Sequence, residues 1–445
     1  MTTAQTPALP VGSLAVRTVL GVGVAAVFIL WWAGAPPVPG ASPGLAIVAG
    51  GELAGLLASF LVCAQLLLVG RVRWFERACG LDRLVSWHRS LGTTVVLLVL
   101  AHVAAMILGS MLVDRRTAWG EVLVLVAGTP DLLLAVVGTV LFVAVGISSA
   151  RLVRRHLSYE WWFAIHLATY VAIYLTFWHQ IRAGSHLVAD PVVRSAWITL
   201  YVATAGALLW SRVALPLIRH VHLGLRVEAV QIESPDTVSV WLRGTGVQHL
   251  RARAGQFFLV RFLTPRHAFT AHPYSISIVP TDEHVRFTIG ALGDHSADVR
   301  AIAPGTRVLL EGPFGRLTSS RARGRRILLV GGGAGIGAVR ALAEDFVADG
   351  SDVVVVHRAH SPQALVLARE FPVRPGLRYV PMLGRRADLG FDPLGPGPLA
   401  VAVPDIASRE VFVCGPAGMS ETVVRSARAL GVERRAIHLE ELSLS

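Results

Sequence analysis

The chain contains no lysine; all 41 of its basic residues are arginine. A bias that uniform tracks composition rather than recognition. No basic stripe is interleaved with aromatics, so no nucleic-acid partner is expected. Cysteine is scarce as well. Cys63, Cys79 and Cys414 lie far apart without CxxC spacing, so neither a disulfide framework nor a zinc site follows. Charge is thin, 16% of 445 residues against 53% hydrophobic, and unevenly spread. Long apolar runs crowd the first half and charge collects in the second, which excludes a single globule and implies a membrane half joined to a soluble half. The net charge of +12 suits a protein lying against anionic lipid leaflets. Internal repeats and low-complexity tracts are missing too.

Six apolar segments, near 15–34, 46–69, 88–112, 130–150, 159–181 and 195–217, reach the roughly 20 residues that a bilayer crossing needs. The first is too long for a signal-peptide core and is expected to be retained as a span. Arg71, Arg73, Arg77, Arg83 and Arg89 precede or open the third span, and Arg151, Arg154 and Arg155 lie between the fourth and fifth. The alternate loops carry only Arg115, Arg116, Arg182 and Arg194. That imbalance predicts an integral membrane protein with both termini, and everything after the sixth span, in the cytoplasm. Ten of eleven tryptophans precede residue 211, most near predicted span ends, as in an interfacial belt.

From about residue 223 short alternating strands begin (LRVEAVQIES, TVSVWLRG, GQFFLVRFL, HVRFTIGAL, TRVLLEG), which predict an antiparallel β-barrel. From about 325 apolar strands (RRILLV, SDVVVVHR, LRYVPML, EVFVCG) alternate with helix-like stretches, which predicts an α/β parallel sheet. The expected fold is therefore a multi-domain membrane protein. A six-helix transmembrane bundle over 1–221 precedes a barrel domain over 222–322 and an α/β domain over 323–445.

Four histidines interrupt the lipid-like sequence. His88 and His102 are 14 residues apart on the third span; His166 and His179 are 13 apart on the fifth. At a 1.5 Å rise these steps are ~21 and ~20 Å. The two spans run in the same direction, so His88 matches His166 in depth and His102 matches His179. Two pairs at two depths are what two stacked bis-histidine haems require, each iron taking a neutral imidazole from each side. A step of 13 residues turns ~140° away from the starting face, so the fifth span is expected to kink, tilt or overwind.

WHRSLG…AHVAA, LSYEWWFAIHLATY and FWHQ resemble the ferric reductase and NADPH oxidase transmembrane domain over roughly 45–215. The resemblance implies two b-type haems held by His88, His102, His166 and His179.

The second half carries motifs of its own. HPYS (His272, Pro273, Tyr274, Ser275) is a polar, aromatic and hydroxyl series in extended chain that suits the edge of an isoalloxazine. It resembles the HPF(T/S) box of the ferric reductase family and the RxYS box of ferredoxin–NADP reductase-type domains, which implies that Tyr274 stacks on FAD, Ser275 bonds near N5 and His272 reaches the pyrophosphate. FTIGALGDHSADV resembles the phosphate-holding segment, with Gly290, Gly293 and Ser296 as candidates. RRILLVGGGAGIGAVRAL reads as strand, glycine-rich turn and helix, so Gly333, Ala334, Gly335, Ile336 and Gly337 are placed at a dinucleotide pyrophosphate. The family turn is GxGxxP; here Ala338 replaces the proline. Arg358 at the next strand end suits a 2′-phosphate, favouring NADPH with NADH possible. VFVCGPAGM resembles the CGPxxM motif, which implies that Cys414, Gly415 and Pro416 lie at the nicotinamide.

Together these imply an NAD(P)H-dependent oxidoreductase that passes electrons from NADPH through FAD and two haems to an external acceptor, a ferric chelate or dioxygen. Met106, where many animal oxidases of the family carry histidine, and the lack of an arginine within span two favour the ferric chelate. A cytochrome-b carrier serving a protein partner is the other class, and the fused nicotinamide module argues against it. No obligatory protein partner is expected. Glu52, inside span two, is either an interfacial carboxylate or the lining of the acceptor entry. In the tail IHLEELSLS, Leu442 stands where the family has an aromatic over the flavin.

Overall fold

The computed structural model describes residues 11–34, 42–128, 130–268, 270–291 and 294–439. The chain divides into two compact units, residues 1–212 and 213–445.

In the first unit the long helices are α1 (Val11–Gly34), α2 (Pro43–Val69), α3 (Leu81–Asp114), α4 (Pro130–Ser149), α5 (Tyr159–Ala183) and α6 (Pro191–Leu209). Six helices among the described residues are long and apolar enough to cross a membrane. Helix starts follow local chemistry. Asp190 Oδ1 accepts from the amides of Val192 at 2.8 Å and Val193 at 3.3 Å, with Pro191 at the first helical position. Helix α2 packs along α3 and α4 along α5. Small residues set the first approach: a Cβ at Gly109 would lie 2.8 Å from the Gly44 carbonyl oxygen. Helix α5 is α-helical throughout, without the local overwinding expected between His166 and His179. Thr169 and Thr176 instead donate back to main-chain carbonyls of that helix, which bends a helix without breaking it.

The second unit opens with α7 (Leu215–Leu223). Strands β1 (Arg226–Ser234), β2 (Thr237–Arg243), β3 (Phe257–Phe262), β4 (His272–Ser275), β5 (His284–Gly290) and β6 (Val308–Phe314) form two three-stranded antiparallel sheets, ordered β1-β2-β5 and β4-β3-β6. Single bridges, Ile276 to Phe287 and Arg226 to Arg307, link their edges, so the expected barrel consists of two sheets joined at isolated residue pairs. Their inner faces share one core around Phe258, Phe287, Val240 and Leu242.

Next come β7 (Arg326–Gly332), α8 (Ile336–Ala348), β8 (Asp352–Arg358), β9 (Leu377–Met382), β10 (Glu410–Cys414), α9 (Ala417–Ala429) and β11 (Ile437–Leu439). The strands pair in parallel in the order β11-β10-β7-β8-β9. Both faces are apolar and covered, which is why these strands read as continuous hydrophobic runs. The edge strand β11 was not expected from sequence. The antiparallel sheets and the parallel sheet are clasped by charge. Arg286 on β5, with a side chain 3% exposed, donates to Glu370 at 2.6 and 2.9 Å, and Arg340 on α8 reaches the same carboxylate at 2.9 Å.

Candidate functional sites

In the membrane unit the rings of His88 and His166 stand 6.0 Å apart and those of His102 and His179 stand 6.4 Å apart. A single ion bonded to an imidazole on each side at about 2 Å puts the facing nitrogens about 4 Å apart. A ring radius on each side then brings the centres to the observed spacing. The outer nitrogens are held unequally. His88 Nδ1 lies 3.2 Å from the Gln65 carbonyl oxygen and His102 Nδ1 lies 2.8 Å from that of Gly51, both on α2. A proton on Nδ1 donated there leaves Nε2 with its lone pair, which is the tautomer a metal needs. The histidines of α5 are held more loosely. His166 Nδ1 has Ser149 Oγ at 3.5 Å, and that hydroxyl also accepts from Trp162 Nε1 at 3.2 Å. Trp162 stacks on the His166 ring at 5.1 Å, and the Arg154 guanidinium lies 4.7 Å from the Trp162 ring centroid. His179 Nδ1 is buried and makes no well-formed hydrogen bond; the Thr176 carbonyl one turn earlier is its interacting group. The donor set, its spacing and its anchoring fit two bis-histidine haems.

The α2 contacts depend on glycine. A Cβ at Gly55 would lie 2.7 Å from His102 Nδ1, so only hydrogen at this position leaves room for the ring. Gln65, Gly51, Gly55, Ser149 and Trp162 were not singled out from sequence. Main-chain acceptors carry no side-chain signature, and Trp162 reads there as one more interfacial tryptophan.

In the second unit β4 pairs with β3, setting Ser275 opposite Phe257, Tyr274 opposite Phe258, Pro273 opposite Leu259 and His272 opposite Val260. Alternation puts His272 and Tyr274 on one face, where their rings stack at 6.2 Å and 24°. Tyr274 is half-buried and burial pushes its hydroxyl above the usual range, so it stays a neutral donor. Ser275 is buried. Gly290 ends β5 opposite Thr237, and Ser296 sits in the short turn Asp294–Ala297. Gly293 lies outside the described residues, as does the tail with Leu442.

Strand β7 runs into the 3₁₀ turn Gly333–Gly335 and then α8. Gly333 has φ of 55°, a left-handed conformation natural to glycine. A Cβ at Gly335 would lie 2.3 Å from the Cys414 carbonyl oxygen, and one at Gly337 would lie 2.9 Å from Thr288 Cβ. The turn therefore presses against the end of β10 and the helix start presses against β5. Ile336 and Ala338 are buried, while Ala334 and Gly335 remain partly exposed at the helix start. This leaves backbone amides available to an anion. Both cradles fit their nucleotides by the character of the residues present.

Two residues carry contacts that temper their expected roles. Cys414 is 2% exposed and belongs to the core with Ile336 and Phe412, and its carbonyl and the Gly415 amide lie against the turn. Arg358 donates to the main-chain carbonyls of Ala359, Met382 and Gly384, the Met382 contact being 3.2 Å. Burial, with Arg386 nearby, lowers its pKa against the opposing charge of Asp392. Part of its fork is thus engaged in holding the ends of β8 and β9.

The family described as "Ferric reductase like transmembrane component" matches residues 54–177. The ferric/cupric reductase transmembrane component 1 of Candida albicans (strain SC5314 / ATCC MYA-2876) is 21% identical over 298 residues, 63% of this chain and 35% of that protein. NADH oxidoreductase HCR of Escherichia coli (strain K12) is 26% identical over 223 residues, 47% of this chain and 65% of that protein. The chain thus spans between about a third and two-thirds of the length of these curated relatives. Among solved structures, a ferredoxin reductase in carbazole 1,9a-dioxygenase is 24% identical with a TM-score of 0.43, covering 49% of this chain and 68% of that one. Over residues 54–177 this chain is thus similar to the ferric reductase like transmembrane components.

Proposed function

We propose that this chain is a membrane-spanning, NAD(P)H-dependent flavohaem reductase that delivers electrons to an acceptor across the bilayer, with ferric chelates as the substrate class. The observation that carries this reading is the pair of histidine pairs, 6.0 and 6.4 Å between rings, at two depths of one helical bundle. His88 with His166 would hold one b-type haem and His102 with His179 a second. NAD(P)H supplies hydride, haem iron passes single electrons, and FAD when bound converts between the two.

The residues of this chain do the rest. The Gln65 and Gly51 carbonyls fix two ring orientations. With His88 and His166 holding one haem and His102 and His179 the other, neither iron would keep a free position for the acceptor, which would then take its electron without bonding to haem iron. Tyr274 offers a ring face and Ser275 a hydroxyl to FAD within 222–322. The Gly333–Gly337 turn and the Cys414–Pro416 strand end receive the dinucleotide within 323–445. Arg358 beside Arg386 favours a 2′-phosphate and hence NADPH. The arginine-rich loops support a cytoplasmic side for the reductase unit.

The test is anaerobic. Purified full-length protein given NADPH should show haem reduction, then reoxidation on adding a ferric chelate, without any protein partner. Haem reduction by NADPH that only dioxygen reverses, with superoxide as product, would reassign the acceptor. Absence of haem would end the proposal.

A further inference from the structure

A polar cluster lies in the membrane unit apart from the four histidines. Glu52, on apolar helix α2, follows Gly51, whose carbonyl oxygen accepts from His102. Its Oε1 accepts from Ser185 Oγ at 2.8 Å. Its Oε2 lies 3.4 Å from His186 Nε2, at the start of the short helix Ser185–Ala189. The His186 side chain is only 6% exposed, and its Nε2 is buried without a well-formed hydrogen bond despite that neighbour. Glu52 keeps 23% exposure, so the cluster opens on one side. The pocket for the ring is built. A Cβ at Gly34, the last residue of α1, would lie 2.2 Å from His186 Nδ1.

A carboxylate in an apolar helix is costly and needs a reason. Here an imidazole nitrogen, a carboxylate oxygen and a hydroxyl converge. Two donors each about 2.1 Å from a tetrahedral ion lie about 3.4 Å apart, which matches the Nε2 to Oε2 separation. Nitrogen with oxygen is a set for a first-row transition ion rather than for magnesium or calcium. With only two strong donors, the remaining positions are left to water or a chelator, as an ion that must arrive and depart requires.

We propose that Glu52, His186 and Ser185 form the landing site of the acceptor ion, a ferric or cupric cation, one residue along α2 from the anchor of His102. The proposal rests on the reductase reading for its electron source. The ion takes one electron that originates in NAD(P)H, Fe³⁺ becoming Fe²⁺ or Cu²⁺ becoming Cu⁺. No bond breaks except those from the ion to its ligands. The reduced ion, less charged, is held more weakly by the carboxylate and leaves.

Cupric ion alone is the probe. Full-length protein with its cofactors is titrated with Cu²⁺ and followed by electron paramagnetic resonance, without nicotinamide. The wild type should bind one Cu²⁺ with nitrogen hyperfine structure. His186→Ala should lose that nitrogen signal, and Glu52→Gln should weaken binding by more than about tenfold. Glu52→Gln is nearly isosteric, so it decides the matter if His186→Ala does not fold. Wild-type binding retained in Glu52→Gln, or a cupric signal from the wild type without nitrogen, overturns the site. Because occupancy is read without turnover, failure of NADPH-driven reduction would sink the reductase reading and leave the metal site standing.

Discussion

His102 is held from two directions: its ring lies 6.4 Å from that of His179, and its Nδ1 lies 2.8 Å from the Gly51 carbonyl oxygen. Gly55 sits under the same ring. Gly55→Ala should therefore displace His102 as effectively as His102→Ala removes it. Both variants should lose one of two haems while keeping the His88/His166 haem and flavin reduction by NADPH. Haem stoichiometry and a potentiometric titration check this, and two haems of unchanged potential in both variants would refute the assignment.

Arg358→Ala should weaken NADPH use more than NADH use. A charged hydrogen bond is worth about 1.5–3 kcal/mol, roughly 10- to 100-fold in the ratio of the two Michaelis constants. Equal losses would mean that Arg358 serves only the carbonyls of Ala359, Met382 and Gly384.

His357 is fully buried on β8, with Nδ1 2.8 Å from the Tyr379 hydroxyl, and burial lowers its pKa to about 4. Its unfolded value is near 6.5, so the unfolded chain takes up a proton first. The stability it protects is complete above about pH 6.5 and falls as pH drops towards 4, by up to about 1.4 kcal/mol per unit. His357→Gln should flatten that slope in denaturant titrations between pH 4 and 6.5. An unchanged slope would show that the folded His357 takes up its proton as readily as the unfolded one.

The clasp of Arg286, Arg340 and Glu370 gives an acid limit of opposite chemistry. Burial would raise the Glu370 pKa, but the Arg286 contacts, followed by those of Arg340, bring it below the ordinary value. Its contribution is present above the unfolded carboxylate value and is lost as pH falls through the lower folded one. Glu370→Gln should lower stability by about 1.5–3 kcal/mol at pH 7 because it strands the buried Arg286. It should also slow hydride transfer by loosening the two sheets. Stopped-flow flavin reduction and thermal melting read these separately, and a variant with wild-type melting would remove the clasp from the account.

Much of this architecture is legible in the chain because it depends on fixed periods. A constant helical rise sets the depths of His88, His102, His166 and His179, and alternation sets β1, β2, β3, β5 and β6. What is not legible depends on partners distant in sequence. β11 is three residues whose pairing with β10 is non-local. The acceptors for His88 and His102 are backbone atoms of α2, and the engagement of Arg358 is with backbone of β9 and beyond. His186 has no sequence signature, because a lone histidine in a short connection has no pattern around it. Only the fold brings it to Glu52 and gives Gly34 its reason.

The unequal anchoring of the four rings bears on how such a bundle is assembled. Helices α2 and α3 come together with His88 and His102 already tied to carbonyls of the neighbouring helix, a fixed jaw at two levels. His166 and His179 depend mostly on their own helix α5 and on a single distant hydroxyl. If the bundle holds the proposed haems, each would meet an imidazole already oriented by α2 before it met the second. Insertion would then be the closing of α5, and the order of helix synthesis, α2 and α3 before α5, would also be the order in which the clamp becomes able to grip.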